Sequence, residues 1–412
     1  MKKTLMALAV GAAFAAPSAF ADVTISGAIN MDVEVLKSGD GSGAAANSIR
    51  AGTVGNGVTN TGVASNYSNV TISSTDDIGN GMKIDFAYQI TAPTNNNAGV
   101  SNRNSHIGIV SDSWGGVWWG SNENIYERYL YTIDPLDGAA GIGGNLQMLA
   151  TPGGAVFQTG QGYDWYRRDE QAIWYDSPNW NGFTFGGVWQ TNYNKDQCAA
   201  FGGPAGDCNP NMYELGAKYA GTSIPLGVWI AYGHRKDEFG LAQFAATYNA
   251  AFGAGAITQT GGSSSTDTAG QVGVSYALGD ILLFGIYEQL KYKQDGVALG
   301  VDEWKRTAWS IGMKWNLATG YFGAQYIQAG DGKASCVGTC GPIGTGSETG
   351  GKMIGLGYYH TLTKQTQAYV MGTWIDNKDL GLYGAAGGTN AGNLTNVGAT
   401  IWAATVGLKH TF

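Results

Sequence analysis

The chain alternates. From Val23 to Val35, the residues Val23, Ile25, Gly27, Ile29, Met31, Val33 and Val35 share one face, while Thr24, Ser26, Ala28, Asn30, Asp32 and Glu34 share the other. The last twelve residues repeat the pattern. His410, Leu408, Val406, Ala404 and Trp402 fall on the face that includes Phe412, and Thr411, Lys409, Gly407, Thr405 and Ala403 lie opposite. A period of two is a β-strand, and an apolar face about ten residues long with an aromatic at each end suits a strand that crosses a bilayer. Such a strand cannot stand alone in lipid, because its edges would leave backbone N–H and C=O groups unpaired. The rest of the chain must therefore close a barrel around it.

The same reading predicts strands at Tyr67–Ser74, Met82–Thr91, Asn102–Val110, Val117–Gly120, in the Arg168–Phe185 region on both sides of Ser177–Gly182, and at Met212–Ala220 and Leu226–Lys236. Further strands are predicted at Gln271–Leu278, Ile281–Lys293, Trp304–Leu317, Tyr321–Gln328, Lys352–Leu362 and Thr366–Ile375. Short turns such as Asn80-Gly81, which supplies the positive φ angles of a tight hairpin, alternate with long connections. The expected fold is all-β, a 16-stranded antiparallel transmembrane β-barrel with short turns at one end and long loops at the other. Which face of Ile281–Glu288 and of Thr366–Trp374 meets lipid stays open, since apolar residues occupy both parities there.

Composition narrows the class. Only 13% of residues are charged, against roughly 25% in soluble domains, yet there are 66 glycines, 13 tryptophans and 22 tyrosines. Residues 1–21, with Lys2-Lys3, an apolar run and Ala19-Phe20-Ala21, read as a secretory signal peptide, leaving residues 22–412 as one barrel domain. No later run of eighteen apolar residues exists, which excludes a helical membrane protein. Beyond Lys2 and Lys3, 21 basic residues stand against 31 acidic ones, a formal charge of −10 that argues against nucleic acid as a partner.

Four stretches carry a family resemblance. Val406-Gly-Leu-Lys-His-Thr-Phe412 is similar to the VGLRHxF ending of betaproteobacterial general porins, and Asp76-Asp77-Ile-Gly-Asn-Gly81 resembles their EDLGNG turn. Arg168 to Phe185 resembles RxxNSIxYxSPxFxGF, and Tyr358 to Thr366 resembles YxLSKRT with Lys-Gln where Lys-Arg is usual. The resemblance implies an outer-membrane homotrimer surrounded by lipid and lipopolysaccharide that passes ions and small hydrophilic solutes by passive diffusion. It also implies that Phe412 is the signal read by the barrel-assembly machinery, and that the third loop folds inward to narrow the pore.

That loop is residues 121–165, the longest connection between strands, and its acids are Glu123, Glu127, Asp134, Asp137 and Asp164 against Arg128 alone. Family members carry a basic ladder on the facing wall, for which parity offers Lys83, Arg168, Lys218, Arg235, Arg306 and Lys314. Inward acids are Asp32, Glu34, Asp85, Glu170 and Glu214. Gly120-Ser121 stands where the family has Gly-Arg, which removes one basic rung. An acidic loop at the narrowest point would favour cations, so the expectation is a weak cation preference. A solute-selective channel of the same fold and a surface adhesive or structural barrel are the alternative functions.

Cys198 with Cys208, and Cys336 with Cys340, are local pairs in long outer loops, so two disulfides are expected. Neither loop supplies a histidine, so no metal site is expected there. Outer-membrane phospholipases and proteases are barrels too, but His234 beside Arg235 and Asp237 is the sole arrangement worth naming as catalytic. No glycine-rich nucleotide loop occurs in a strand–helix context, and no cofactor is implied.

Overall fold

The computed structural model describes residues 23–41, 57–92, 101–136, 141–153, 163–191, 209–221, 224–252, 255–341, 344–386, 393–394 and 397–412. The proposed signal peptide, Asp137, Cys198 and Cys208 lie outside the described residues. The strands are β1 (Thr24–Ser38), β2 (Thr59–Ser65), β3 (Asn69–Gly79), β4 (Met82–Thr91), β5 (Asn102–Ser111), β6 (Gly115–Glu123), β7 (Arg168–Asp176), β8 (Phe183–Thr191), β9 (Asn211–Ala220) and β10 (Leu226–Lys236). They continue as β11 (Gln259–Leu278), β12 (Ile281–Leu317), β13 (Gly320–Ala329), β14 (Lys333–Val337), β15 (Gly351–Thr361), β16 (Thr366–Asn377), β17 (Ala385–Ala386), β18 (Asn393–Leu394) and β19 (Thr400–Thr411). Sequential neighbours pair antiparallel, and the sheet closes where β1 meets β19, in register from Ala28 opposite Thr411 to Ser38 opposite Ile401. Among the described residues, each long strand of the sheet is paired on both sides, which is what lipid demands.

Alternation decides which side is which, and it runs opposite to a soluble protein. On β1, Val33 is 53% exposed while Asp32 and Glu34 are 3% and 0% exposed. On β19, Trp402, Val406 and Leu408 are exposed while Ala403 and Thr405 are buried. Leu215, Ile230, Val272, Val274, Tyr287, Trp309, Ile311 and Leu356 continue the apolar outer belt around the barrel. The hairpin ends behave as their residues dictate: Asn80 (φ 56) with Gly81 (φ 70), and Asn181 (φ 53) with Gly182 (φ 97), take the left-handed conformations that β-branched residues resist.

Three details correct the sequence reading and one completes it. The closed sheet holds fifteen long strands plus two short ones, β2 and β14, rather than sixteen. The difference arises because Ile281–Lys293 and Trp304–Leu317 form one unbroken 37-residue element. Its two halves lie side by side, as Asn316 N–H donating to Asp280 O (2.8 Å) and the Arg306–Glu288 contact show. Second, β11 begins at Gln259, within the stretch expected to be loop. Its first half, rich in Ser, Thr and Gly, lacks an apolar face, so nothing in its pattern marks it as strand.

Third, the two undecided parities resolve. Phe284, Ile286 and Glu288 point in while Leu283 and Tyr287 point out, and Tyr369, Met371 and Thr373 point in while Val370 points out. Fourth, Glu170 is not a wall acid. A bulge at Gln171 (φ 55), opposite a register shift between Gly120 and Asn122, turns Asp169 into the interior and leaves Glu170 exposed.

The Cys336–Cys340 disulfide is formed, with Cα atoms 5.5 Å apart. So small a ring restrains little unfolded chain, and its contribution should be at or below about 3 kcal/mol. Replacing both cysteines by serine should leave the folded barrel's heat-modifiable gel mobility intact. Loss of the folded band in that double variant would show that the ring supports the wall.

Candidate pore constriction

The segment between β6 and β7 enters the lumen. Asn124 starts it by accepting a hydrogen bond from Glu127 N–H (2.8 Å), which caps a helix over Ile125–Tyr131. Ile125, Tyr126 and Leu130 are fully buried, and the helix packs on β8, β9 and β10. A chain buried inside a barrel must find partners for its backbone groups, and here the wall supplies them. Tyr126 N–H donates to Glu214 Oε2 (3.0 Å), and Ala150 N–H to Glu288 Oε2 (3.0 Å). Gln271 Nε2 donates to Tyr126 O (2.7 Å), Tyr359 Oη to Leu136 O (2.7 Å) and Gln325 Nε2 to Gly143 O (2.6 Å). Arg235 Nη1 donates to Asp164 O (2.7 Å) with its guanidinium 3.8 Å over the Trp165 ring. Arg306 donates to Thr151 O and to Glu288 Oε1 (2.8 Å), and Tyr126 Oη reaches Glu288 Oε2 (2.9 Å).

A second segment, between β10 and β11, also turns inward. Its helix, Gly240–Phe252, buries Leu241, Phe244 and Tyr248. Phe244 lies 4.9 Å from the Trp304 ring and 6.0 Å from Tyr163, which belongs to the loop after β6. Beside it, Arg167 is held by Glu238 (2.7 Å) and Asp169 (3.1 Å), all three within the interior. The sequence of Asp237–Gly270 reads as a long surface loop, and nothing in it announces this insertion.

What stays open lies on the other side of the lumen. One cavity of about 430 Å³ is lined by Tyr67, Arg103, Glu123, Tyr131, Asp134, Phe284, Lys314 and Tyr321 among others. A second, of about 270 Å³, shares Tyr67, Arg103 and Glu123 with it and adds Lys409. Glu123 sits between Arg168 (3.0 Å) and Arg103 (3.6 Å). The Asp134 carboxylate accepts from the N–H groups of Leu136 (2.9 Å) and Asn145 (2.7 Å). Lys314 lies 3.9 Å over the Tyr321 ring and, among the described residues, has no carboxylate within ion-pair distance.

The remaining predicted residues scatter. Glu127 is buried against Tyr131 Oη (2.5 Å), and burial, with repulsion from Glu123, pushes its carboxyl up to about 7. Asp164 is buried too, and burial pushes it to about 7. Asp85 accepts from Trp118 Nε1 (2.8 Å), and Asp32 from Asn66 Nδ2 (2.8 Å) and Tyr369 Oη (3.0 Å). Glu34 is buried nearby, Lys83 is exposed near a hairpin end, and Lys218 is half-buried opposite Trp229. His234 stacks on Tyr213 (5.0 Å) on the outer face while Arg235 points in, so the catalytic arrangement does not assemble.

The expected cation preference loses its basis here. Of the loop acids, Glu127 and Asp164 are buried and Glu123 is paired with two arginines. A model of the Gram-negative porin family matches residues 7–380. The chain belongs to that family. Outer membrane porin protein 32 of Delftia acidovorans is 27% identical over 420 residues, covering all of both chains. An outer membrane porin protein of Bordetella pertussis is 28% identical over 316 residues, which is 61% of this chain and 79% of that one. The fold matches that of an anion-selective porin from Comamonas acidovorans with a TM-score of 0.67 at 21% identity, over 95% of this chain and all of that one.

The porin is thus a multi-pass β-barrel of a Gram-negative outer membrane. Two of its lumen residues escaped the sequence reading. Arg103 has the outward parity in an unbroken strand, but a register shift between Tyr88 and Ile90 brings it inward. Glu288 lies in the stretch of undecided parity, although a carboxylate in a membrane-crossing strand is signal enough to choose the face.

Proposed function

We propose that this porin is a narrow, water-filled channel for passive diffusion of ions and small hydrophilic solutes, with a weak preference for anions. The observation that carries the reading is the charge left uncompensated at the open passage: Lys314 has no carboxylate partner among the described residues, whereas Glu123 has two arginines. Charges in a confined, partly apolar passage act on permeating ions more strongly than the same charges in bulk water. Homotrimer assembly within lipopolysaccharide, implied by the family resemblance, belongs to the same reading, and channel work rather than catalysis fits the scattered histidines.

Reversal potentials across a planar bilayer in a KCl gradient test it. Anions should be favoured modestly, and more so as salt is diluted below about 0.1 M, where the Debye length exceeds about 10 Å. Lys314→Gln should move the reversal potential toward cations. Clear cation preference of the wild type at low salt would refute the assignment.

A further inference from the structure

We infer that the cavity beside Lys314 is a binding subsite for small organic anions with a flat apolar body, the aromatic monocarboxylates, an inference that rests on the channel reading above. A passage that only sieves by size needs polar walls. This one adds Leu282, Phe284, Ile133 and Pro135 and the rings of Tyr67, Tyr131 and Tyr321 to its charged residues. Its volume of about 430 Å³ lies within the range of small-molecule sites, about 300–1,000 Å³.

The charges are arranged to take an anion rather than a cation. The Lys314 ammonium is fixed over the Tyr321 ring and, among the described residues, has no carboxylate within ion-pair distance. Across the cavity the Arg103 guanidinium lies 4.9 Å over the Tyr67 ring and is shared with Glu123. Of the two acids of the lining, Glu123 holds its Oε1 between Arg103 and Arg168, and Asp134 accepts from two backbone N–H groups. A hydrated chloride gains little from the apolar wall. A benzoate-sized anion can set its carboxylate on Lys314 and bury its ring against Phe284 and Ile133, adding apolar burial to a charge-assisted hydrogen bond.

The experiment is block of KCl current through the wild-type channel in a planar bilayer by benzoate, acetate and benzylammonium. Benzoate should block saturably, at a half-blocking concentration about tenfold or more below those of acetate and benzylammonium, each factor of ten being about 1.4 kcal/mol. Lys314→Gln should raise the benzoate value about tenfold, and should this variant fail to assemble, the wild-type comparison of the three probes still decides. Equal block by benzoate and acetate, stronger block by benzylammonium, or benzoate block unchanged in Lys314→Gln would each overturn the subsite. A channel that conducts KCl but is not blocked refutes this inference alone, whereas a barrel with no conductance refutes the channel reading beneath it.

Discussion

Glu288→Ala should free the inserted loop and widen the channel. That one carboxylate accepts from Tyr126 Oη, Ala150 N–H and Arg306, so its removal strips two anchors from the loop and leaves a buried arginine uncompensated. Breaking a buried pair by deleting one partner costs about 3–5 kcal/mol. The barrel wall keeps its full hydrogen-bond ladder, so the loss falls on loop docking rather than on the sheet. Single-channel conductance should rise and fluctuate, and liposomes should swell with larger sugars than the wild type admits. Replacing Glu288 and Arg306 together by methionine removes both charges and should disturb the channel less. Unchanged conductance and an unchanged sugar cutoff in Glu288→Ala would show that the remaining contacts suffice.

The second large effect is on assembly. Deleting Phe412, or replacing it by serine, should leave secretion intact and abolish the folded, heat-modifiable species in the outer membrane. Phe412 closes the ring of the wall: its N–H donates to Gly27 O and its carbonyl accepts from Gly27 N–H, both at 3.1 Å. Its side chain is 45% exposed, on the outer surface, where an assembly factor can read it. A correctly folded, membrane-inserted truncate would remove the basis for treating this residue as a signal.

The wall was legible because lipid and water impose opposite demands on alternate residues. Val33 and Asp32, or Val406 and Thr405, could not exchange faces without turning polar groups toward lipid, so their order in the chain states their direction. Legibility ended where that constraint ends. Above the membrane, the Ser/Thr/Gly half of β11 has no face to declare. At the bulges near Gln171 and between Asn102 and Ser105, one extra residue reverses the parity beyond it, which misplaced Glu170 and hid Arg103. The acids of the constriction loop were visible as residue types, but their charge state was not. Whether Glu123 meets an ion or an arginine depends on a long-range contact with Arg103 and Arg168 that no local spacing encodes.

The way the loop is fastened separates two properties that are usually entangled. Gln271, Gln325, Arg306, Tyr359 and Glu214 hold main-chain oxygens and N–H groups of the loop. Main-chain atoms are the same in every residue but proline. Side chains of the loop that face the open passage, such as Thr132, can therefore change by single substitutions while the fastening persists. Permeability can be retuned on a scaffold that keeps its shape, one residue at a time, which suits a protein whose outer surroundings change faster than its fold.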